Sequence, residues 1–412
     1  MSIITVDKSV ITGKIKPVSA VNGVPTVFVR GEERWNWKRS DNLSLMGTTR
    51  VRLCEIGGAF GNCVFVDIPN LFPDFNADEC DPASYDFTFT DWLIGKCVKY
   101  GVKPIYRLGV TREVDHWLKA YRIFPPVNFE KWARICEHII MHYNKGWANG
   151  FKYGIDYWEI WNEPDDAIEI KDSETWKGTK EQYFELYKIT ATKIKNSFPE
   201  IKVGGYCAGL DGVVSEKPSK LEKYRIDFFN DFLDYVSGEE KTPLDFFTWH
   251  TECGSLISNV KIAEYVRERL DARELNECEN ICASWNISKN GSVNAAEVAA
   301  NLITWQKSAV NMALYCDGTL SGKLFDKEKP SKSFYAMRAF NSLCVLKDEI
   351  YSESSDKDVY CLSASDGKTV RLMVVNYSGK EKQIDINLKD ISVNSAVKLC
   401  LPAFGIQVLE LI

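Results

Sequence analysis

Histidine is scarce in this sequence, with 4 residues in a chain of 412. No two of them form a His-x-His pair at a predicted strand end, which argues against a metal-dependent hydrolase. The chain also lacks any apolar run approaching the roughly 18 residues of a membrane span. It has no long basic run, and its net charge of −6 disfavours nucleic acid and anionic membranes as partners. We therefore expect no metal, no other cofactor, no nucleic acid and no membrane.

The first residues, Met1–Lys8, lack the basic segment followed by an apolar segment that marks a signal peptide. The 13 cysteines are odd in number and irregularly spaced. The closest pairs, Cys278 with Cys282 and Cys54 with Cys63, do not resemble a zinc knuckle. Both observations predict free thiols in a reducing cytoplasm.

Short apolar runs alternate with amphipathic stretches from about Lys16 to Leu346. The runs predict strands at 51–54, 102–106, 157–161, 201–205, 245–249 and 313–316. Apolar residues at helical spacing predict helices over 129–143 (after Asn128 as cap), 183–194 and 298–309. This alternation predicts parallel strands joined by helices, and eight such repeats would close a (β/α)8 barrel over residues 15–346. An open doubly wound sheet is the alternative, but the glycine-rich turn that would support it is missing.

The sequence changes character near Lys347, where short strand-like runs follow one another without helices between them. These runs are 359–362, 370–375, 383–388 and 406–411. The pairs Asp366-Gly367 and Ser378-Gly379 are typical of turns between antiparallel strands. We predict a small antiparallel β-sandwich formed by residues 347–412 and completed by residues 1–14.

Two acidic residues fall where a barrel carries its chemistry, at the C-terminal ends of predicted strands. Glu163 follows the run 157–161, and Pro164 prevents that strand from continuing. Glu277 ends the run 273–277, although Glu279 would point to the same side of an extended strand and spacing alone does not exclude it. Two carboxyl groups are the minimum for glycoside hydrolysis, since one protonates the leaving oxygen and the other attacks the anomeric carbon. Asn162 could hydrogen-bond a sugar hydroxyl beside the reacting carbon.

The segment Ile160–Pro164 resembles the strand-four signature of clan A glycoside hydrolases, and the chain is most similar to family 39, which includes β-xylosidases. Weaker similarities occur in the family's order. They are 85–92, 101–104, 142–143, 181–187, 203–205, 245–250, 275–278 and 329–335. The resemblance implies a retaining mechanism through a covalent glycosyl-enzyme, with Glu163 as acid/base, Glu277 rather than Glu279 as nucleophile, and the two carboxyl groups about 5–5.5 Å apart. It also implies that His250 faces the substrate and that Arg52 supports the nucleophile.

Several positions depart from the family pattern. The family commonly has an Arg-x-His motif on its second strand. This chain has Arg52-Leu53-Cys54 there, so a cysteine replaces the histidine, and Glu55 follows. Glu252 replaces a tyrosine after His250, and Cys278 replaces an aromatic residue. An extra carboxylate could contact sugar hydroxyls or a cationic amino sugar, or Glu252 could be an ordinary loop residue. These departures put the sugar specificity in doubt.

Four further residues are candidates for the cleft: His116 after strand three, Trp176 and Trp285 as sugar platforms, and Asp317 at the end of strand eight. Each has an ordinary alternative in helix capping, core packing or solvation. We expect a retaining glycosidase that acts on a small glycoside or oligosaccharide. The alternative is a weakly active or inactive carbohydrate-binding barrel, and homo-oligomer formation stays open.

Overall fold

The computed structural model describes residues 2–23, 41–53, 66–111, 122–252, 255–286, 295–316, 324–326, 329–391 and 397–411. Its strands, in chain order, are β1 (Ser2–Lys14), β2 (Ala20–Asn22), β3 (Arg50–Leu53), β4 (Lys103–Leu108), β5 (Tyr157–Ile160), β6 (Lys202–Gly209), β7 (Phe246–Thr251), β8 (Glu279–Trp285), β9 (Met312–Cys316), β10 (Phe325–Asp326), β11 (Lys329–Pro330), β12 (Asp348–Ser354), β13 (Val359–Ser365), β14 (Val370–Asn376), β15 (Lys382–Lys389), β16 (Val397–Leu401) and β17 (Ile406–Glu410). Its α-helices are α1 (Asp41–Met46), α2 (Ile68–Leu71), α3 (Thr88–Lys99), α4 (Phe129–Asn144), α5 (Lys180–Ser197), α6 (Lys220–Ser237), α7 (Leu256–Asp271), α8 (Ala295–Lys307) and α9 (Lys332–Cys344).

The eight strands β2 to β9 form a closed parallel barrel. Closure occurs where β9 pairs with β2, with Leu314 opposite Ala20 and Tyr315 opposite Val21. An open doubly wound sheet would leave these two strands unpaired. The predicted (β/α)8 barrel is therefore confirmed.

The interior of the barrel is layered because side chains alternate along each strand. An apolar layer near the N-terminal ends of the strands contains Ala20, Ile105, Tyr157, Phe246, Ile281, Met312 and Leu314. Two residues further along their strands, Arg107, Glu159 and Thr248 are buried at 0–1 % exposure. The barrel thus places buried polar groups directly beneath its C-terminal mouth.

Several of the helices begin at polar caps. Asn128 accepts a hydrogen bond from the Lys131 backbone N–H at 2.9 Å, as predicted for the start of α4. Thr179 and Gln182 form a reciprocal capping box at α5. Such caps satisfy backbone N–H groups that the first helical turn leaves without partners.

The accessory sheet has the strand order β16-β15-β1-β12-β13-β14-β17. One of its faces packs on the barrel core through Leu362, Ala364, Met373 and Val375. The other face forms a separate apolar core that includes Ile4, Val6 and Leu372. Most pairs are antiparallel, as predicted, and the β1–β15 pair is parallel. The division into residues 15–346 and 1–14 plus 347–412 stays a prediction with which these sheets are compatible.

The seventh barrel strand begins later in the sequence than predicted. Residues 275–278, expected as the seventh strand, form a turn in which the Cys278 N–H donates to the Leu275 carbonyl. The strand begins only at Glu279.

Among the described residues, no helix combines the length and the apolar character needed to cross a membrane.

Candidate active site

Glu163 lies in the loop that follows β5, at the C-terminal mouth of the barrel. Its N–H donates to the Tyr206 carbonyl at 2.8 Å, and its own carbonyl accepts from the Thr175 hydroxyl. Trp161 and Glu163 both have positive φ, at 70° and 50°. Non-glycine residues adopt this conformation at a free-energy cost that surrounding contacts must offset. The backbone is therefore held so that the Glu163 side chain, 19 % exposed, enters the mouth.

Gly109 at the end of β4 makes room for this segment. A Cβ atom at Gly109 would lie 2.9 Å from the Trp161 Cα atom. The Trp161 N–H also donates to the Leu108 carbonyl at 2.7 Å. The close approach of β4 fixes where the Glu163 segment leaves the sheet.

A buried hydrogen-bond network supports the site from below. The Arg52 side chain donates to Glu159 Oε2 at 2.7 Å and to Asn162 Oδ1 at 2.6 Å. Glu159 Oε1 accepts from the Thr248 hydroxyl at 2.7 Å. The Thr248 oxygen in turn accepts from the Cys207 N–H at 2.9 Å. The network connects the polar layer of the barrel to three of its strand ends.

Arg52 pairs with Glu159 and not with Glu277, the expected nucleophile. It is 1 % exposed. A buried guanidinium needs such a partner because an unpaired buried charge is strongly destabilising. Asn162, 2 % exposed, is oriented by the same guanidinium.

His250 lies on β7 and reaches the acid directly. Its Nδ1 atom is 3.4 Å from Glu163 Oε1 and 3.1 Å from the Cys207 carbonyl oxygen. Cys207 on β6 places its Sγ atom 3.6 Å from the same nitrogen. The structure thus brings together the predicted residues Glu163, Asn162 and His250, and adds Cys207.

Asp165 lies two residues beyond the acid and is fully buried. Its Oδ1 atom has no hydrogen-bond partner among the described residues. Burial raises the pKa of the Asp165 carboxyl to about 7, with Arg225 and His250 opposing the rise and Glu163 adding to it. A carboxyl group with this pKa is protonated through much of the acidic range.

The prediction that Glu277 lies at the active face is wrong. Glu277 is exposed and precedes β8, so it lies beyond the N-terminal end of that strand. Glu279, its alternative, accepts hydrogen bonds from the Tyr157 hydroxyl and Lys202 Nζ, which belong to the first residues of β5 and β6. Both acids are therefore at the end of the barrel opposite to Glu163, and the expected spacing of about 5–5.5 Å cannot apply to Glu277.

The mouth end of β8 carries different side chains. Ser284 stands opposite His250 in the β7–β8 register, and Trp285 stands opposite Thr251. Glu252 follows β7 at this same face and is exposed. Its backbone N–H donates to Asp211, which also accepts from the Thr251 hydroxyl. The described part of β8 therefore contributes a hydroxyl where the resemblance led us to expect a carboxylate.

The remaining sequence candidates fall into two groups. Trp176 and Trp285 are 1 % and 0 % exposed. Trp176 packs edge-on against Trp161, with ring centroids 4.9 Å apart. Trp285 packs in the same way against Tyr315, also at 4.9 Å, so both tryptophans are used in packing. Cys54, Glu55, His116 and Asp317 lie outside the described residues.

Sequence reasoning missed Cys207 and Asp165. Asp165 directly follows the segment Ile160–Pro164, and the signal was its proximity to Glu163 and Pro164. Cys207 stands in an apolar strand, where a cysteine is typical of the core. Its left-handed backbone, with φ of 67°, is visible only in the structure.

A closed parallel barrel that carries Asn162 and Glu163 after its fourth strand has the arrangement that the resemblance to clan A glycoside hydrolases led us to expect. The profile of glycosyl hydrolases family 39 matches residues 71–315, which include Glu163, Cys207 and His250. The chain belongs to this family, a retaining family of clan A.

Two curated relatives are named β-xylosidase. The protein from Caldicellulosiruptor saccharolyticus is 29% identical over 203 residues, covering 46% of this chain and 38% of the relative. The protein from Geobacillus stearothermophilus is 25% identical over 226 residues, covering 51% and 39%. The matches thus span about two-fifths of the length of these relatives.

Solved structures share the fold over nearly the whole chain. A glucosidase from Croceicoccus marinus has a TM-score of 0.77 and 20% identity, covering 100% of this chain and 98% of the other. A monomeric β-xylosidase from Caulobacter crescentus CB15 has a TM-score of 0.67 and 16% identity, covering 99% of both chains. The barrel and the accessory sheet therefore recur together.

Proposed function

We propose that this chain hydrolyses glycosidic bonds with Glu163 as general acid and then general base. The observation that carries the proposal is the position of Glu163 at the mouth of the barrel, beside Asn162 and 3.4 Å from His250. A carboxylic acid in this position can protonate the leaving oxygen, and its ionised form can then activate water. Asn162, held by Arg52, is suited to hydrogen-bond a sugar hydroxyl.

The substrate we propose is a small β-linked glycoside or oligosaccharide. Support comes from the names of the relatives, which include β-xylosidases and a glucosidase. Glu252 and His250 line the same face and offer acceptors and donors for sugar hydroxyls. The cytoplasmic location and homo-oligomer formation considered from the sequence stay predictions.

A retaining reaction also requires a nucleophilic carboxylate about 5–5.5 Å from the acid. Glu277 precedes β8 and therefore lies at the end of the barrel opposite to Glu163, which argues against it as the nucleophile. We propose Glu252 as the described candidate, with Glu55 and Asp317 as candidates outside the described residues. A 2-fluoroglycoside with a good leaving group would trap the covalent intermediate, and peptide mass spectrometry would identify the labelled residue. A label on Glu277 would contradict this assignment.

The test of the function is turnover of a panel of aryl β-xylosides, β-glucosides, β-galactosides and α-arabinosides. We expect hydrolysis of at least one member of the panel with retention of anomeric configuration. NMR of the released sugar would measure that configuration. Absence of turnover across the panel by folded protein, or inversion, would contradict the proposal.

A second candidate function is carbohydrate binding with little or no turnover. The observation that favours it is Ser284, which occupies the mouth end of β8 opposite His250. Calorimetry would then detect sugar binding by the wild-type protein without hydrolysis. On this reading Ser284→Glu would supply the second carboxylate, and we expect it to raise hydrolysis of an activated aryl glycoside at least tenfold. An unchanged rate would contradict the carbohydrate-binding candidate.

A further inference from the structure

Three potential metal ligands converge at the barrel mouth. They are Glu163 after β5, Cys207 on β6 and His250 on β7, and one ligand atom of each lies within 4.8 Å of the others. The three residues lie on or just after consecutive strands of a closed barrel, whose hydrogen bonds fix the relative positions of these strands. This arrangement offers one oxygen, one sulfur and one nitrogen to a single point.

The two distances from His250 Nδ1 to the other ligand atoms match edges of a tetrahedral zinc site, and the Cys207 sulfur and the Glu163 carboxylate lie within 4.8 Å of each other. Bonds of about 2.3 Å to sulfur and about 2.0–2.1 Å to nitrogen, at tetrahedral angles, separate those two ligands by about 3.5 Å. The Cys207 Sγ atom and His250 Nδ1 are 3.6 Å apart. Nitrogen and carboxylate oxygen in such a site lie about 3.3 Å apart, and His250 Nδ1 is 3.4 Å from Glu163 Oε1.

The surroundings of His250 Nδ1 also favour a cation. The nitrogen faces Glu163 Oε1, Cys207 Sγ and the Cys207 carbonyl oxygen, which are all electron-rich atoms. A single proton on Nδ1 can be directed to only one of them at good geometry. A divalent cation in place of that proton would bind the nitrogen, the sulfur and the carboxylate at once. A thiolate and a carboxylate would balance its charge.

The site is supported from below and open above. The Cys207 N–H donates to Thr248, which Glu159 holds in turn, so the cysteine is anchored in its left-handed conformation. Cys207 is 1 % exposed, whereas the side chains of His250 and Glu163 are 16 % and 19 % exposed. The fourth coordination position would therefore face the cleft, which provides a path of entry for the ion.

We propose that Glu163, Cys207 and His250 form a binding site for a thiophilic divalent cation of the zinc class. A site with sulfur, nitrogen and oxygen ligands and one open position suits Zn²⁺ and Co²⁺ far better than Mg²⁺ or Ca²⁺. Because Glu163 is one of the ligands, the bound ion would occupy the carboxylate required for acid/base chemistry. This last consequence, metal inhibition of hydrolysis, rests on the proposed function.

The direct test is titration of the reduced full-length protein with Co²⁺, followed by absorption spectroscopy. We expect a thiolate-to-cobalt charge-transfer band in the near ultraviolet, saturating at one equivalent and erased by Zn²⁺. Cys207→Ser should abolish the band, and Glu163→Gln and His250→Gln should each weaken binding by about 100-fold or more. Cys97→Ser, the same change at a buried cysteine of α3, is the matched control and should retain the band.

Two results would overturn the site: a folded wild-type protein without the band at millimolar Co²⁺, or a band that persists in Cys207→Ser. Circular dichroism checks the fold of each variant, and the other two ligand variants decide if Cys207→Ser does not fold. A separate measurement concerns inhibition. We expect Zn²⁺ to inhibit the wild-type enzyme, EDTA to restore it and Cys97→Ser to behave identically. A metal-free protein without hydrolysis would contradict the proposed function and leave the spectroscopic result standing.

Discussion

The fourth and seventh barrel strands, β5 and β8, meet the mouth of the barrel in different ways. β5 leads into a segment with left-handed backbone at Trp161 and Glu163, in which Trp161 packs against Trp176. β8 has its acidic residues at or before its first position and ends with Ser284 and Trp285. An acid next to a strand is therefore not enough to predict chemistry, because the end of the strand at which it lies decides which face of the barrel it reaches.

The largest expected effect separates the acids near these two strands. Glu163→Gln removes the proton donor while keeping the side-chain shape, and we expect kcat/KM for a glycoside with a poor leaving group to fall about 10²–10⁴-fold. Glu277→Gln, an exposed change before β8, should leave the rate unchanged. Equal losses in both variants would refute the contrast between the two strands.

The buried ion pair at β5 should contribute chiefly to stability. Glu159→Gln removes the carboxylate that pairs with the buried Arg52 guanidinium, and we expect the free energy of unfolding to fall by about 3–5 kcal/mol. Urea denaturation would measure the change. The matched control is Glu200→Gln, which removes an exposed pair with Lys145 and should have no measurable effect.

Asp165 makes the β5 end sensitive to pH. Its pKa of about 7 in the folded state exceeds the usual value of 3.8, so the unfolded chain ionises first as pH rises. This group favours folding below about pH 4, and its contribution is lost between about pH 4 and pH 7. Asp165→Asn should therefore be more stable than the wild type at pH 8, by up to about 4 kcal/mol, and similar at pH 4. Thermal unfolding at both pH values checks this, and an equal difference at both would contradict it.

A substitution at Asn280 tests what β8, the second strand of this comparison, contributes to stability and to the reaction. Asn280 is fully buried in β8, where it accepts from Trp249 Nε1 and donates to the carbonyls of Ala263 and Ala309. Asn280→Ala leaves these groups without partners, and we expect a loss of about 1–3 kcal/mol in the free energy of unfolding. The rate per folded molecule should stay close to the wild type, because Asn280 lies near the start of β8. A large fall in kcat without a loss of stability would show that β8 supports the chemistry more directly.

The same comparison explains what the sequence could predict. Around β5, a short apolar strand, a proline stop and the neighbouring Asn162 and Glu163 coincide, so strand, face and acid were all predicted together. Around β8, Glu279 and Asn280 begin a buried strand with polar side chains. Their burial depends on tertiary partners, namely Lys202 and Tyr157 for one and Trp249 for the other. Local periodicity contains no information about such partners, and the strand was placed too early in the sequence.

Cys207 shows a second limit of prediction. Its sequence context is that of an ordinary core cysteine, and its relation to Glu163 and His250 depends on three strand ends meeting at one point. Contacts between residues 44 and 87 positions apart cannot be obtained from spacing along one strand. The closed barrel supplies them through its register.

The pairing of β1 has a consequence for how the chain acquires its structure. This strand, at residues 2–14, lies between β12 and β15, which begin at residues 348 and 382. During synthesis it must wait until residues 348–389 have been made before its neighbours exist, and closing so long a loop slows folding. Until then β1 is itself an unpaired strand, and in its absence β12 and β15 would present unpaired edges, which are templates for association between chains. Deleting residues 2–14 should therefore promote aggregation during refolding more strongly than it alters the chemistry at the barrel mouth.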